Sequence, residues 1–316
     1  MSVEALVFLL ESLLGREATK EEYDLFVAKS QMSGFTGEVA ANELMATMEF
    51  HLRHREAMAQ QLFPRPTIVF ARGPLGHEIV VDLRQFHVGF SMAQGHYEPR
   101  ETAFVLRHVK RGMTVLDAGA NVGYFTTIFA GLVGDSGTVI ALEPVSDTRL
   151  KLNAAVSRNK LENIVEIVAL AVSSGVGEVQ VSYPIASTNM GGVHISPIGA
   201  ASHEICEVVK TSTIDRIVSG RPVHFIKMDI EGAEGLALEG AEQTIVKNRP
   251  LMMVEFNVDF LQSVSGISPA ELHAKILNWG YEPFGLGHEG DLIAPPALES
   301  MISGSVHNLV FAPLPM

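Results

Sequence analysis

The residues best suited to chemistry lie in one short stretch, residues 115–126, which reads VLDAGANVGYFT. An apolar run stops at Asp117, a turn containing Gly119 and Gly123 follows, and an apolar helix is predicted over residues 124–132. A strand, a tight turn and a helix N-terminus in this order form a ligand cradle, because the helix directs free N–H groups at whatever approaches the turn. The stretch therefore predicts a ligand-binding site.

The spacing of this stretch selects among ligands. A dinucleotide fingerprint requires glycine where this chain has Asn121, and the carboxylate of Asp117 at the strand end would repel a phosphate. The same carboxylate suits a ligand that carries an ammonium group and no phosphate, such as S-adenosylmethionine (SAM). A second apolar strand, residues 137–142, ends at Glu143, where an acid can bind both hydroxyls of a ribose. The pattern favours SAM over NAD.

Four predicted strands end in acids, at Asp117, Glu143, Asp229 and Glu255. Because the carboxyl ends of parallel strands meet at one edge of a sheet, these carboxylates should lie near one another and repel. A cationic ligand or a metal would relieve the repulsion. With Asp117 and Glu143 assigned to SAM, the other two acids are expected to face the methyl acceptor. Lys227, inside an apolar strand, is interpreted as an ion-pair partner of Asp229 or Glu255.

Two mechanisms fit the residues on the acceptor side. In the first, a single general base removes the proton of the acceptor hydroxyl, and the candidates are Asp229, Glu255 and His194. In the second, Asp229, Glu231 and Glu255 hold Mg²⁺, which lowers the pKa of the bound hydroxyls. The second set offers only oxygen ligands, which suit a hard cation and do not suit zinc.

The order of elements predicts an α/β fold in a chain of two parts. Residues 1–64 contain apolar positions at helical spacing and form an N-terminal helical module, which ends near two prolines. Residues 65–316 begin with a β-hairpin and continue with alternating strands and helices, which is typical of a doubly wound parallel sheet. Residues 183–206 are rich in glycine, serine, asparagine and proline and are predicted to form a functional loop. Ser268 is predicted to cap the last helix.

Composition limits the partners and the compartment. The formal net charge of −13, with no basic stripe, argues against nucleic acid. The single cysteine, Cys206, excludes a disulfide framework and a cysteine-based zinc site, which is typical of a reducing compartment. No apolar run is long enough to span a bilayer. The sequence predicts a cytoplasmic protein without a membrane span.

Four motifs resemble those of the FkbM family of SAM-dependent methyltransferases, and the resemblance covers roughly residues 67–314. They are VLDAGANVGYFT, Glu143-Pro144, FIKMDIEGAE at residues 225–234 and VEFN at residues 254–257. The resemblance implies a class I, Rossmann-like methyltransferase fold with a seven-stranded sheet that includes one antiparallel strand. It also implies O-methylation of sugars or of polyketide-type hydroxyls.

The resemblance further implies roles for individual residues. Glu143 would bind the ribose, and Val145 with the backbone of Ala169 and Leu170 would border the adenine. Tyr97 and Glu98 would close over SAM, although a packing role for Tyr97 is an open alternative. The residues implied to hold the methionine part of SAM are Asp117, Gly119, Asn121 and Gly123.

The sequence thus predicts a SAM-dependent O-methyltransferase that acts on a hydroxyl of a sugar, a glycan or a glycosylated precursor. Two alternatives stay open: N- or O-methylation of a small natural product, and a non-catalytic SAM-binding scaffold. Residues 1–64 resemble a short bacterial helical module often attached to glycan-modifying or secreted proteins. A generic element for docking or homo-oligomer formation explains that segment equally well.

Overall fold

The computed structural model describes residues 20, 63, 65–184, 194–196, 204–257, 260–295 and 307–315. Apart from residues 20 and 63, all of these belong to the compact unit Arg65–Met316. The helical module predicted for residues 1–64 lies otherwise outside the described residues and stays a prediction. Within the described ranges, none of the helices has the length and apolar character needed to cross a membrane.

The helices are short and lie between the strands along the chain. In chain order they are α1 Ser91–Ala93, α2 Pro99–His108, α3 Tyr124–Val133, α4 Ser146–Arg158, α5 Ile214–Val218, α6 Glu234–Glu239, α7 Glu242–Asn248 and α8 Pro269–Asn278. The first half of the strands comprises β1 Ile68–Arg72, β2 Glu78–Asp82, β3 Thr114–Ala118, β4 Thr138–Leu142, β5 Val165–Val168, β6 Ala171–Val172 and β7 Gly177–Pro184. The second half comprises β8 His194–Ser196, β9 Glu204–Ser212, β10 Phe225–Met228, β11 Leu251–Phe256, β12 Tyr281–Leu286, β13 Leu292–Ile293 and β14 His307–Pro313.

The central sheet has the strand order β13-β12-β14-β11-β10-β3-β4-β5. Strands β5, β4, β3, β10 and β11 pair in parallel, and β14 runs antiparallel to both of its neighbours. This confirms the Rossmann-like class I methyltransferase arrangement with one antiparallel strand among seven. The two-residue strand β13 adds an eighth strand at the edge. The order reverses between β3 and β10, and ligands bind at such a switch point.

Both faces of the central sheet are covered by apolar side chains. Val115 on β3 belongs to a buried cluster that includes Phe129 of α3. The next residue, Leu116, points to the opposite face and belongs to a second cluster with Leu272 of α8. Alternate strand residues are thus buried on opposite faces, which is why these strands read as continuous apolar runs. The charged side chains Asp117 and Lys227 lie near the carboxyl ends of their strands, next to this apolar core.

A smaller four-stranded sheet, with the order β6-β9-β7-β8, replaces part of the predicted loop. Residues 183–184 and 204–206 extend β7 and β9, which pair through Tyr183 with Ile205, and His194–Ser196 forms β8. The loop prediction for residues 183–206 was wrong at these positions. Pairing with a partner strand overrode a composition that disfavours strands. The remaining residues of the segment, 185–193 and 197–203, lie outside the description.

The start of α8 confirms the predicted cap. The backbone N–H of Glu271 donates to Ser268 Oγ at 3.2 Å, and the Ser268 N–H donates to Glu271 Oε2 at 2.9 Å. Pro269 occupies the first turn, where its missing N–H costs nothing. These reciprocal bonds satisfy two donors that the helix itself leaves free.

Ser268→Ala should lower the free energy of unfolding by about 1 kcal/mol, because α8 loses its cap. Chemical denaturation followed by circular dichroism measures the difference. Ser157→Ala is the matched control, since Ser157 is exposed within α4 and caps nothing. Equal effects of the two substitutions would contradict a stabilising role of the cap.

Candidate active site

A cavity lies at the carboxyl ends of β3, β4, β10 and β11, with a volume of about 1220 Å³, part of which is open to solvent. Six acids and one basic residue are among the described residues that line it. The acids are Glu98, Asp117, Glu143, Asp229, Glu231 and Glu255, and the basic residue is Lys227. The four strand-end acids predicted to meet at one edge therefore share one cavity.

The turn after β3 requires glycine at its first position. Gly119 has a φ of 82°, and a Cβ there would lie 1.8 Å from the backbone oxygen of Asp229. Gly123 has a φ of 96° and packs against Leu152 of α4, where a Cβ would lie 2.8 Å from its Cδ1. Gly119 and Asn121 line the cavity, whereas Gly123 is not among the described lining residues. The turn is thus pressed against the end of β10, and its backbone faces the cavity.

Asp117 is fully buried at the end of β3. Its Oδ2 accepts a hydrogen bond of 2.6 Å from the Thr126 hydroxyl, and its Oδ1 has no partner among the described residues. Burial raises the pKa of Asp117, while Lys227 and the Thr126 hydrogen bond act in the opposite direction. A buried acceptor oxygen without a partner is costly, so this position fits a ligand that donates a hydrogen bond or carries a positive charge.

Glu143 is oriented by the backbone on both sides of it. Its Oε1 accepts from the Val145 N–H at 2.8 Å, and its Oε2 accepts from the Asn121 N–H at 3.0 Å. Burial raises the pKa of Glu143 to about 7, and these two hydrogen bonds oppose the rise. Each carboxylate oxygen keeps a second lone pair, so both can accept hydrogen bonds from a diol. The geometry fits the predicted ribose contact.

The apolar end of the cavity lies beyond Glu143. Val145 and Leu170 line it, and Ala171 does so in place of Ala169, which is not among the described lining residues. Thr148 and Val181 are among the lining residues that sequence reasoning missed. Thr148 could have been identified from its position, because it lies in the first turn of the helix that follows Glu143. Val181 comes from the smaller sheet, whose pairing no local pattern predicts.

Lys227 lies in the half of the cavity at the ends of β10 and β11, opposite Glu143. Its Nζ lies 2.9 Å from Asp229 Oδ2 and 4.9 Å from the centroid of the Phe125 ring, and its side chain is only 4% exposed. Burial lowers the pKa of Lys227, but Asp229, Glu98 and Asp117 raise it by more, so it stays above its ordinary value. The predicted ion pair is confirmed with Asp229 as the partner.

Glu255 and Glu231 lie beside this ion pair and are held toward their neutral forms. Burial, followed by the charges of Asp229 and Glu231, raises the pKa of Glu255 to about 10. Burial and the charge of Asp229 raise the pKa of Glu231 to about 8. Glu255 Oε2 is buried and has no hydrogen-bond partner in the described part of the chain. Glu231 and Glu255 therefore favour their protonated forms, and a bound cation or hydrogen-bond donor would change that preference.

The predicted magnesium set is not supported. Within the described ranges, no group of three or more histidine, cysteine, aspartate or glutamate side chains could hold a metal ion. The carboxylate of Asp229 is engaged by Lys227 instead. Asp229, Glu231 and Glu255 therefore do not fit as a three-ligand site in this arrangement.

Tyr97 and Glu98, which precede α2 and lie outside the strands, also line the cavity. The Tyr97 ring packs edge-on against Tyr124 with 5.0 Å between centroids, and the Tyr124 hydroxyl donates to the Tyr97 carbonyl at 3.2 Å. The backbone of His194 lies in β8, paired with Ser182. His194 is not among the described lining residues, so its role in catalysis stays a prediction.

Three comparisons place the chain among known proteins. The sequence profile described as "Methyltransferase FkbM domain" matches residues 117–283. A curated relative, Protein-L-isoaspartate O-methyltransferase 1 of Arabidopsis thaliana, is 31% identical over 119 residues, which cover 36% of this chain and 45% of that protein. The chain thus spans about half the length of the curated relative that it matches.

Solved structures give weaker matches. Methyltransferase FkbM from Methylobacillus flagellatus KT aligns with a TM-score of 0.42 and 17% identity, over 73% of this chain and 53% of that one. An O-methyltransferase from Bacillus cereus in complex with SAH aligns with a TM-score of 0.40 and 15% identity, over 68% of this chain and 80% of that one.

The match of the FkbM domain profile extends from Asp117, at the end of β3, to Pro283 in β12, which is more than half of the chain. The protein therefore belongs to the FkbM methyltransferase family.

Proposed function

We propose that this protein is a SAM-dependent O-methyltransferase that methylates a hydroxyl group of a sugar, a glycan or a glycosylated precursor. The observation that carries the proposal is one cavity with two chemically different halves. Asp117 and Glu143 line the half at β3 and β4, and Asp229 and Glu255 line the half at β10 and β11. A donor and an acceptor can therefore meet between them.

The first half fits the predicted cofactor. The free Oδ1 of Asp117 would accept a hydrogen bond from the ammonium group of SAM, and the carboxylate of Glu143 would accept two from its ribose. The bare backbone at Gly119 permits close approach. When bound, SAM supplies a methyl group on a positively charged sulfur.

The second half has to align the acceptor and receive its proton. In the transfer, a bond forms between the acceptor oxygen and the methyl carbon while the carbon–sulfur bond breaks, and the hydroxyl proton leaves for a carboxylate. We assign that proton to Asp229, whose position Lys227 fixes. Glu255, which burial holds toward its protonated form, stays a further candidate from sequence. His194 is a further candidate from sequence, outside the described wall of the cavity.

The charge of the cavity supports a neutral hydroxyl acceptor. The curated relative is named for O-methylation of isoaspartate, which carries a carboxylate. Here the described lining residues include a single cation, Lys227, which Asp229 already engages, so an anionic acceptor would find no positively charged partner left among them. A polyhydroxyl acceptor brings hydrogen-bond donors that such acids can bind. We therefore favour a sugar hydroxyl over a carboxylate.

An amine acceptor is the second candidate, because an acidic cavity also attracts an ammonium group. Nitrogen nucleophiles need no strong base, so an Asp229→Asn variant that keeps the full rate would favour it. A non-catalytic scaffold would bind SAM and release no S-adenosylhomocysteine with any acceptor.

A requirement for Mg²⁺ would show as activity lost on EDTA treatment and restored by Mg²⁺. The cytoplasmic location and a docking or oligomerisation role for residues 1–64 belong to the same proposal.

Asp117→Asn should weaken SAM binding by at least about tenfold, because the ammonium group loses a charged partner, and hydrogen bonds to charged groups contribute about 1.5–3 kcal/mol. Isothermal titration calorimetry measures the dissociation constant. Asp135→Asn is the control, since Asp135 is exposed after α3. Binding by Asp117→Asn as tight as that of the control would contradict the assignment.

Asp229→Asn should lower kcat for a hydroxyl acceptor by about 100-fold, the usual contribution of a positioned base. The dissociation constant of SAM should change little, because the cofactor contacts lie at β3 and β4. Release of S-adenosylhomocysteine, followed by mass spectrometry with a panel of methyl glycosides, gives the rate. Glu239→Gln, exposed at the end of α6, is the control.

Glu255→Gln should make the SAM-free protein more stable at alkaline pH. Since the folded-state pKa of Glu255 is raised from 4.5 to about 10, its stabilising contribution is complete below pH 4.5 and is lost as the pH rises toward 10. The neutral glutamine avoids that loss, so the variant should gain about 1 kcal/mol or more at pH 9 and almost nothing at pH 4. Urea denaturation at both pH values measures the difference. A gain that does not depend on pH would refute the assigned cause.

A further inference from the structure

Glu98 has an unusual backbone conformation for its residue type. Its φ of 41° and ψ of 61° are left-handed, which is unfavourable for a residue with a Cβ. Glu98 is the N-cap of α2, yet its side chain makes no capping hydrogen bond, and Pro99 occupies the first turn. Helix initiation therefore does not explain a glutamate at this position.

The side chain of Glu98 is directed into the cavity instead. It lines the cavity, and its Oε2 is buried without a partner among the described residues. The Tyr97 hydroxyl forms a hydrogen bond with the same carboxylate. Burial raises the pKa of Glu98 to about 7, although the charge of Lys227 opposes the rise. The carboxylate of Glu98 can therefore accept a hydrogen bond from a molecule bound in the cavity.

The neighbours of Glu98 show which half of the cavity it faces. The charges that act on it are those of Lys227, Asp229 and Glu101, whereas the acid that acts on Glu143 is Asp117. Tyr97 in turn lies in the field of Asp229 and Glu255.

Helix α2 also contacts strands on the acceptor side of the sheet. Asn308 of β14 donates a hydrogen bond of 3.1 Å to Glu101 Oε1 in the first turn of α2. Phe104, further along α2, packs against Phe225 of β10 with 6.2 Å between ring centroids. Thr102 of α2 also lies 3.1 Å from the Tyr124 hydroxyl of α3, so the helix borders both halves of the cavity, and the charges of Lys227 and Asp229 associate Glu98 with the end of β10.

We propose that Glu98 binds the acceptor: its free carboxylate oxygen accepts a hydrogen bond from a second hydroxyl, next to the one that is methylated. This inference rests on the proposed function and narrows it to acceptors with neighbouring hydroxyl groups. It reassigns Glu98, which the sequence motif placed with the cofactor. A residue that precedes the matched segment, residues 117–283, thereby contributes to acceptor selection.

The test compares Glu98→Gln with wild type on a methyl glycoside and on its analogue lacking the neighbouring hydroxyl. In wild type, removing that hydroxyl should lower kcat/KM by at least about tenfold, the loss of one hydrogen bond to a charged group. In Glu98→Gln, kcat/KM on the intact glycoside should fall by a similar factor, and the two acceptors should differ by less than about threefold. The dissociation constant of SAM should stay within about threefold of wild type.

Glu101→Gln is the matched control, because Glu101 lies one turn along α2 and the same loss of charge there falls outside the described lining of the cavity. Weaker SAM binding by Glu98→Gln, with an unchanged preference between the two acceptors, would overturn the proposal in favour of a cofactor contact. A lower melting temperature of the SAM-free Glu98→Gln protein would overturn it in favour of a structural role. If wild type methylates neither glycoside, the proposed function fails. In that case the SAM affinity and the melting temperature of Glu98→Gln decide the role of Glu98. A decrease in either one overturns the proposal, and no change in both supports a ligand other than SAM.

Discussion

The site depends on one buried cation placed among carboxylates. Lys227 lies on β10 in register with Asp117 on β3, and its ammonium group pairs with Asp229 at the end of its own strand. An ion taken out of water is tolerated only when it is paired, and removing one partner of such a pair is strongly destabilising. The lysine thus makes it possible for the strand-end acids to be buried together. The fold holds their separation because β3 and β10 are adjacent in the middle of the sheet.

Most of the scaffold could be predicted from the sequence because it depends on local patterns. Apolar runs that stop at acids marked β3, β4, β10 and β11, and the alternation with helices implied a parallel sheet. Ser268 and Glu271 are three residues apart, which is enough to predict a cap. Asp117, Glu143, Asp229 and Glu255 could be brought to one edge by topology alone, since parallel strands end on the same side.

The rest of the site depends on contacts between distant segments. Val181 reaches the cavity only because β7 pairs with β9, and the polar composition of residues 183–206 concealed that pairing. The magnesium hypothesis was based on residue types. It did not take account of Lys227, whose side chain occupies the carboxylate that a metal would need. The left-handed backbone of Glu98 has no sequence signature, because glutamate rarely adopts it.

The close approach of Gly119 to the backbone of Asp229 has a consequence for how such a site can change. The turn that shapes the donor side and the strand end that shapes the acceptor side touch without any side chain between them. Neither can move toward the other unless that one moves away. New acceptor preferences should therefore arise through the walls that surround this contact, such as the segment around Tyr97 and the smaller sheet. The contact between Gly119 and Asp229 itself has to be preserved when the acceptor preference changes.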